Sequence, residues 1–167
     1  LLGNGDGTFA AKTDFGVGNL PSSVAIADLN ADGRPDLAVA VGLNTASVLL
    51  GNGDGTFGAK TDFDTGTDPV SVAIADLNVD GRPDLTVVNF SSSTVSVLLG
   101  NGTGGVSSAS SFNTPSFPHS VAIADFNGDG KGDIAFSAGL GSVSGDTACV
   151  ALGNGTGAFG PFTATVV

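Results

Sequence analysis

Asp28, Asn30, Asp32 and Asp36 stand at positions 1, 3, 5 and 9 of a nine-residue stretch that has Gly33 at position 6. The same pattern returns as Asp76, Asn78, Asp80 and Asp84 around Gly81, and again as Asp125, Asn127, Asp129 and Asp133 around Gly130. Hard oxygen donors at alternate positions about a tight glycine turn are what a calcium-binding loop uses. Glycine permits the sharp turn because it takes a positive φ without a Cβ clash. Closing such a loop brings three carboxylates together. Each like-charged pair then costs about 4 kcal/mol at an effective dielectric near 20, so the cluster calls for a counter-ion. One copy would read equally well as a polar turn between strands. Three copies in register favour three metal sites.

The elements that must position these loops repeat with them. The loops begin 48 and 49 residues apart, and a second motif, Gly-Asn-Gly-Asp/Thr-Gly, begins at Gly3, Gly51, Gly100 and Gly153. In the first unit Ser23 to Asp28 reads as a strand entering the acidic loop, and Asp36 to Val41 as a strand leaving it. Both are apolar on both faces, the mark of strands covered on two sides. Ala46 to Leu50 forms a third strand, Gly51 to Gly55 a hairpin turn, and Thr56 to Phe63 a more polar fourth strand at an outer edge. The second unit runs from Ser71 to Phe112 and the third from Ser120 to about Val166. The second unit lacks the Thr-Phe step after its glycine turn, which predicts a looser hairpin there. Four-stranded sheets at this period match the blades of a β-propeller. The expected architecture is all-β: three full blades of four antiparallel strands (16–66, 67–114 and 115–167) and a leading half-blade (1–15) with the last two strands only. A β-sandwich would explain neither the period nor the doubly covered strands.

Composition agrees. The chain has 167 residues, 41% hydrophobic, with 27 Gly and no Glu, Gln, Met, Trp or Tyr, so strong helix formers are scarce and turn and strand formers abundant. The net charge of −11 comes from sixteen Asp against five Lys and Arg, and three divalent cations would bring it to −5. The acidity is therefore read as internal to metal sites. No basic cluster exists to neutralise phosphates, which disfavours nucleic acid, and no apolar run of about 18 residues suggests membrane insertion. Cys149 stands alone in an apolar strand and reads as a small buried hydrophobe. The chain starts inside a repeat and carries no signal peptide, which reads as a piece of something longer.

The run Val-Ala-Ile-Ala-Asp-Leu-Asn-x-Asp-Gly-Arg-Pro-Asp-Leu, followed by Leu-Leu-Gly-Asn-Gly-Asp-Gly-Thr-Phe, resembles the FG-GAP/VCBS repeat. This is the calcium-loop blade of integrin α-subunit propellers and of many bacterial secreted proteins. The resemblance covers almost the whole chain. It implies calcium held at three sites by side chains at positions 1, 3, 5 and 9 and by the carbonyl of position 7. The implied ligands are Asp28, Asn30, Asp32, the Arg34 carbonyl and Asp36; Asp76, Asn78, Asp80, the Arg82 carbonyl and Asp84; and Asp125, Asn127, Asp129, the Lys131 carbonyl and Asp133. It also implies an extracellular setting and a role in adhesion, in sugar binding, or beside a secreted enzyme. Family propellers usually have about seven blades, so three leave closure to further blades of a parent chain or to other copies. Fold alone does not choose among these uses.

Other chemistry is sparse. His119, the sole histidine, has no counterpart in the other units and no partner to orient it as a base, so a non-catalytic protein is expected. The alternative class is a carbohydrate-binding module recognising glycans or cell-surface proteins, with Phe90, Phe117 or Phe136 standing in for the absent Trp and Tyr. A filament protomer is a further alternative. Sequons stand at Asn89, Asn101 and Asn154. Terminal sheets should expose apolar faces, exemplified by Val121, Ile123, Ile134 and Phe136, and so invite association.

Overall fold

The computed structural model describes residues 1–139 and 146–166. Among the described residues twelve strands fall into three antiparallel sheets. Blade 1 comprises β1 (Pro21–Ala27), β2 (Asp36–Val41), β3 (Thr45–Leu49) and β4 (Thr61–Asp64). Blade 2 comprises β5 (Pro69–Ala75), β6 (Asp84–Asn89), β7 (Thr94–Leu98) and β8 (Ser110–Asn113), and blade 3 β9 (Pro118–Ala124), β10 (Asp133–Gly139), β11 (Asp146–Ala151) and β12 (Thr163–Val166). Within each sheet the strands lie in chain order, and the acidic loop joins the first two. Among the described residues there is no helix, and none long and apolar enough to cross a membrane.

The fourth strand is shorter than the sequence predicts. After the glycine turn, Phe57 bridges to Gly51 and Gly58 N–H donates to the Leu50 carbonyl, but the ladder resumes only with Thr61 opposite Val48. The return limb thus carries one residue more than β3, a bulge that interrupts pairing. In blade 2, Val106 bridges Gly100 in the same way, and Asn101 Oδ1 accepts from Thr103 N–H (2.8 Å), Thr103 Oγ1 (2.8 Å) and Gly105 N–H (3.1 Å). That hairpin is as tightly bonded as the others, because the Asn101 amide replaces the Asp54 carboxylate as acceptor. Residues 1–15 contain no strand. They keep the Gly3 to Phe9 bridge and the Ala10 N–H to Leu2 carbonyl bond (2.8 Å), but have no second strand beside them to ladder against.

Each sheet has two unlike faces, because successive side chains point to opposite sides. The rear face carries large residues: Val24, Ile26, Leu37, Val39 and Leu49 in blade 1 and Val72, Ile74, Leu85, Val87 and Leu98 in blade 2. The front face carries small ones, such as Ala25, Ala27, Ala38, Ala40 and Ala46 of blade 1. The front of blade 1 packs on the rear of blade 2 in one core, and the front of blade 2 on the rear of blade 3 in another. This corrects the expected exposed face of blade 3. Ile134 and Phe136 are buried, and Val121 and Ile123 pack beside them against blade 2. The open surface of blade 3 is the front, with Ala122 and Ser137 exposed. At the other end Val24 and Ile26 of blade 1 are 58% and 66% exposed, against 7% for Val72.

The same contacts lock each pair of blades. Gly104 N–H of blade 2 donates to the Leu29 carbonyl of blade 1 (3.1 Å), as Gly157 N–H of blade 3 does to Leu77 (3.3 Å). Val72 N–H donates to Ser23 Oγ, and Val121 N–H to Ser71 Oγ, both at 3.3 Å. The Leu50 side chain lies over Gly104 and that of Leu99 over Gly157. Leu2 lies over Gly55 in the same manner, and Phe15 meets Phe57 edge to face at 5.1 Å. The leading segment therefore covers Val39, Val41 and Leu49 but leaves Val24 and Ile26 open.

Candidate metal centre

In the first loop Asp32 N–H points at two acceptors, Asp28 Oδ1 and Asn30 Oδ1, each 3.1 Å away. Asp28 Oδ2 accepts from Gly33 N–H (2.7 Å), and Asp32 Oδ1 from Arg34 N–H (2.9 Å). The loop is thus wound around its own oxygens, with Gly33 at φ 80° and Ala31 at φ 59°. The second loop repeats these bonds, Asp80 N–H meeting Asp76 Oδ1 and Asn78 Oδ1 at 3.1 Å each. In the third, Asp129 N–H meets Asp125 Oδ1 (3.2 Å) and Asn127 Oδ1 (2.9 Å). There Gly128 takes the left-handed conformation (φ 76°) that strains Ala31 and Val79 in the other two. Positions 1, 3 and 5 are therefore brought together in all three loops.

Position 9 is built differently. Asp36, Asp84 and Asp133 are fully buried. Asp36 Oδ2 accepts from Leu29 N–H (2.8 Å) and Oδ1 from Gly51 N–H (2.7 Å), tying the loop to the glycine turn that follows β3. Asp84 does the same with Leu77 and Gly100, and Asp133 with Phe126 and Gly153. A buried carboxylate holding two backbone donors is a structural clasp, and each oxygen retains a second lone pair. Among the described residues no three His, Cys, Asp or Glu side chains stand together as a metal-holding group. The acids still feel one another. Burial pushes the Asp84 carboxyl up, the Gly100 and Leu77 N–H groups pull it down, and the charges of Asp80 and Asp76 push it up again.

The family resemblance implies a carbonyl ligand at position 7 and leaves its side chain without a role. Arg34 reaches back to Asp32 (4.0 Å), Arg82 to Asp80 (3.9 Å) and Lys131 to Asp129 (3.3 Å). These three account for most of the five basic residues, a bias visible in the sequence. The aliphatic stems also lie over Gly53, Gly102 and Gly155 of the glycine turns. The Asp129 carboxyl is held below its ordinary value, first by the Lys131 N–H and then by its ammonium.

Over residues 1–39, 28–87 and 77–136 the chain matches the FG-GAP-like repeat, and over 117–158 the FG-GAP repeat. The chain belongs to the FG-GAP repeat family. No curated protein matches it. Among solved structures, this FG-GAP chain is similar to a Photorhabdus luminescens Tc holotoxin pore, with 20% identity and a TM-score of 0.49. The similarity covers 86% of this chain and 7% of that one.

The remaining candidates of the FG-GAP chain separate by burial. Cys149 is buried in β11 with its Sγ 3.7 Å from Thr147 Oγ1, as a strand hydrophobe. Phe136 is core and so unavailable as a sugar platform, whereas Phe90 and Phe117 pair at 5.0 Å beside the exposed His119 ring. Asn89 is fully buried, donating to Thr94 Oγ1 (3.0 Å) and Ser96 Oγ (2.9 Å). Its sequon is therefore closed to a glycan in the folded chain. Asn101 and Asn154 stay exposed in their glycine turns.

Proposed function

We propose that this FG-GAP chain is a non-catalytic, calcium-binding blade module of an extracellular protein, with an adhesive or structural role and completed by further blades or another chain. The observation that carries the reading is the threefold recurrence of one donor arrangement. Asp28 and Asn30 oxygens converge on a single N–H, Asp32 closes the turn, and Asp36 clasps its base. These are hard oxygens, the donor chemistry of calcium. Asp28, Asn30, Asp32, the Arg34 carbonyl and Asp36 would hold the first ion, and the corresponding residues of the second and third loops the others. Bound calcium would supply the positive charge that the carboxylates now draw from the Arg or Lys at position 7. The module reading treats the ion as part of the fold and assigns it no reaction.

Extracellular acidic loops bind calcium at roughly 10⁻⁴ to 10⁻³ M, and a site at a hundred times its dissociation constant adds about 2.7 kcal/mol. Calcium should therefore raise the melting temperature and chelator lower it. Asp32→Ala, Asp80→Ala and Asp129→Ala should each remove one ion from the three counted by calorimetric titration. An identical melting curve in EDTA and in millimolar calcium would sink the reading.

A second reading, binding of carbohydrate, draws on one feature. A cleft of about 650 Å³ lies between β4 and the return limb of blade 2. Asp62, Asp64, Ser92, Thr94 and Ser111 offer hydroxyl and carboxylate partners there, and Phe63 an apolar wall. A glycan screen with and without calcium tests it, and binding that survives unchanged in a Phe63→Ala, Asp64→Ala variant removes this cleft as the site.

A further inference from the structure

We propose that the cationic side chain at position 7 is a built-in competitor of calcium, and that Asp54 offers Arg34 a second carboxylate to turn to, so that the first loop takes calcium before the other two. The proposal rests on the metal-loop reading above and names what sets its three sites apart. Positions 1, 3, 5 and 9 are identical in the three loops. An unequal response to calcium therefore has to come from residues around the donors.

The competition is at position 5. Asp32 Oδ1 is taken up by the Arg34 backbone N–H (2.9 Å), which leaves Oδ2 for a cation. That oxygen already accepts from Asn30 Nδ2 (3.1 Å) and stands 4.0 Å from the Arg34 guanidinium. In the second loop Asp80 Oδ2 accepts from Asn78 Nδ2 (3.0 Å) and stands 3.9 Å from Arg82, and in the third Lys131 Nζ donates to Asp129 Oδ2 (3.3 Å). A divalent ion entering any loop must take this oxygen from a charge of its own sign, and like charges at such range repel even through water. The loop whose cation has somewhere else to go should bind first.

Only the head group has to move, because the stem is laid across the glycine turn. A Cβ on Gly53 would stand 3.1 Å from Arg34 Cδ and Nε, one on Gly102 3.2 Å from the same atoms of Arg82, and one on Gly155 3.0 Å from Lys131 Cδ. Each stem therefore passes beside the next residue of its turn, which is Asp54 in blade 1 but Thr103 in blade 2 and Thr156 in blade 3. Asp54 is fixed by one oxygen: Oδ1 accepts from Thr56 N–H (2.9 Å) and Thr56 Oγ1 (2.6 Å), which leaves Oδ2 to meet a guanidinium. Its carboxyl is held below the ordinary value, first by those Thr56 bonds and in smaller part by the charge of Arg34, so the two groups already feel each other. Thr103 instead donates its hydroxyl to Asn101 Oδ1 (2.8 Å), and Thr156 to Asn154 Oδ1 (2.7 Å). Neither turn holds a charge that could draw Arg82 or Lys131 away from its loop.

The test is calorimetric titration of full-length chains with calcium ion, two loops silenced at a time so that the third is read alone. Asp80→Ala with Asp129→Ala leaves the first loop, and Asp32→Ala with Asp129→Ala the second. The first should bind about threefold more tightly, the size of one solvent-exposed ion pair. Asp54→Asn should cancel that advantage, yet change nothing in an Arg34→Gln chain, because Asp54 acts through Arg34; such a double-mutant cycle isolates the pair. Arg82→Gln, which removes the competitor outright, should tighten the second loop by a similar factor, as should Thr103→Asp, which supplies the missing carboxylate. Arg34, Asp54, Arg82 and Thr103 are exposed, so these variants should fold. In the chain with all three loops intact, Asp54→Asn should weaken the tightest of the three binding steps, a readout that needs no silenced loop. Equal affinities for the first and second loops overturn the proposal, as does an Asp54→Asn effect that survives in the Arg34→Gln chain, or an Arg82→Gln chain that binds no more tightly than its parent. Calcium would still bind in each of those cases, which separates them from failure of the metal-loop reading, where no loop binds it.

Discussion

The rear faces of blades 1 and 2 carry the same five side chains, yet Ile26 is 66% exposed while Ile74 packs into the core between blades. Nothing in the two strands accounts for this. The difference lies in what stands behind them: an alanine-rich front face behind blade 2, and a strandless fifteen-residue segment behind blade 1. In a repeat architecture each unit is stable chiefly through its interfaces with neighbours, so identical sequence yields unequal burial and unequal energetic weight.

Paired truncations put the largest number on that contrast. Leu85 is fully buried, and Leu85→Ala should cost about 3 kcal/mol through lost transfer energy and the cavity left behind. Leu37 occupies the same position in blade 1 and is only half-buried, so Leu37→Ala should cost roughly 1 kcal/mol, in proportion to the smaller area withdrawn from water. Urea unfolding of dilute chains measures both. Equal losses would mean that the rear of blade 1 is covered in solution.

The glycine sockets give a smaller and more local comparison. Gly7 and Gly104 are counterparts, at φ +88° and +84°, so alanine incurs the same left-handed penalty of about 1 kcal/mol at each. A Cβ on Gly7 meets nothing within 4 Å, whereas one on Gly104 stands 2.6 Å from Leu50 Cδ2. Gly104→Ala should therefore cost a further 1 kcal/mol or about that, from overpacking against the preceding blade. Equal melting temperatures for the two variants would show that the leucine contact contributes little to the locking of blades.

How much of this was legible beforehand follows the physics of each element. Asp36 to Val41 was readable to the residue, because a doubly covered strand is a continuous apolar run and the clasp carboxylate marks its start. The shortened β4 was not, since a bulge depends on ladder register, which side chains in an exposed limb barely encode. The face of blade 3 was misassigned because both sides of β9 and β10 are apolar. They differ in size, Ala122 and Ala135 against Ile123 and Phe136, and only the neighbouring blade shows which size faces inward. At the loops, oxygens at positions 1, 3 and 5 were foreseeable from type and spacing. The clasp at position 9 was not, because nothing in the letter Asp shows that its carboxylate also accepts two backbone N–H groups. The position-7 cation pairing had a visible signal in the placement of Arg34, Arg82 and Lys131.

The finest test of the comparison concerns one serine on each rear face. Ser47 of blade 1 donates to Asp62 Oδ1 (2.5 Å) and lies 3.1 Å from the Val17 carbonyl. Its counterpart Ser96 meets Ser111 (3.1 Å), Asn89 Nδ2 (2.9 Å) and Gly66 N–H (3.2 Å), all neutral. Blade 1 thus has a titratable partner where blade 2 has none. Lys60 and then Ser47 hold the Asp62 carboxyl below its ordinary value of 3.8. A depressed carboxyl stabilises the fold above that ordinary value and loses its contribution as pH falls through the lowered one. Asp62 is largely exposed, so Asp62→Asn should cost less than about 1 kcal/mol at neutral pH. The loss should shrink progressively below pH 3.8. Ser111→Ala, which removes the equivalent partner in blade 2, should change stability by an amount independent of pH. Denaturant titrations of both variants across the acid range decide the matter, and a pH-independent Asp62→Asn difference would show that its carboxylate charge contributes nothing to the outer edge of blade 1.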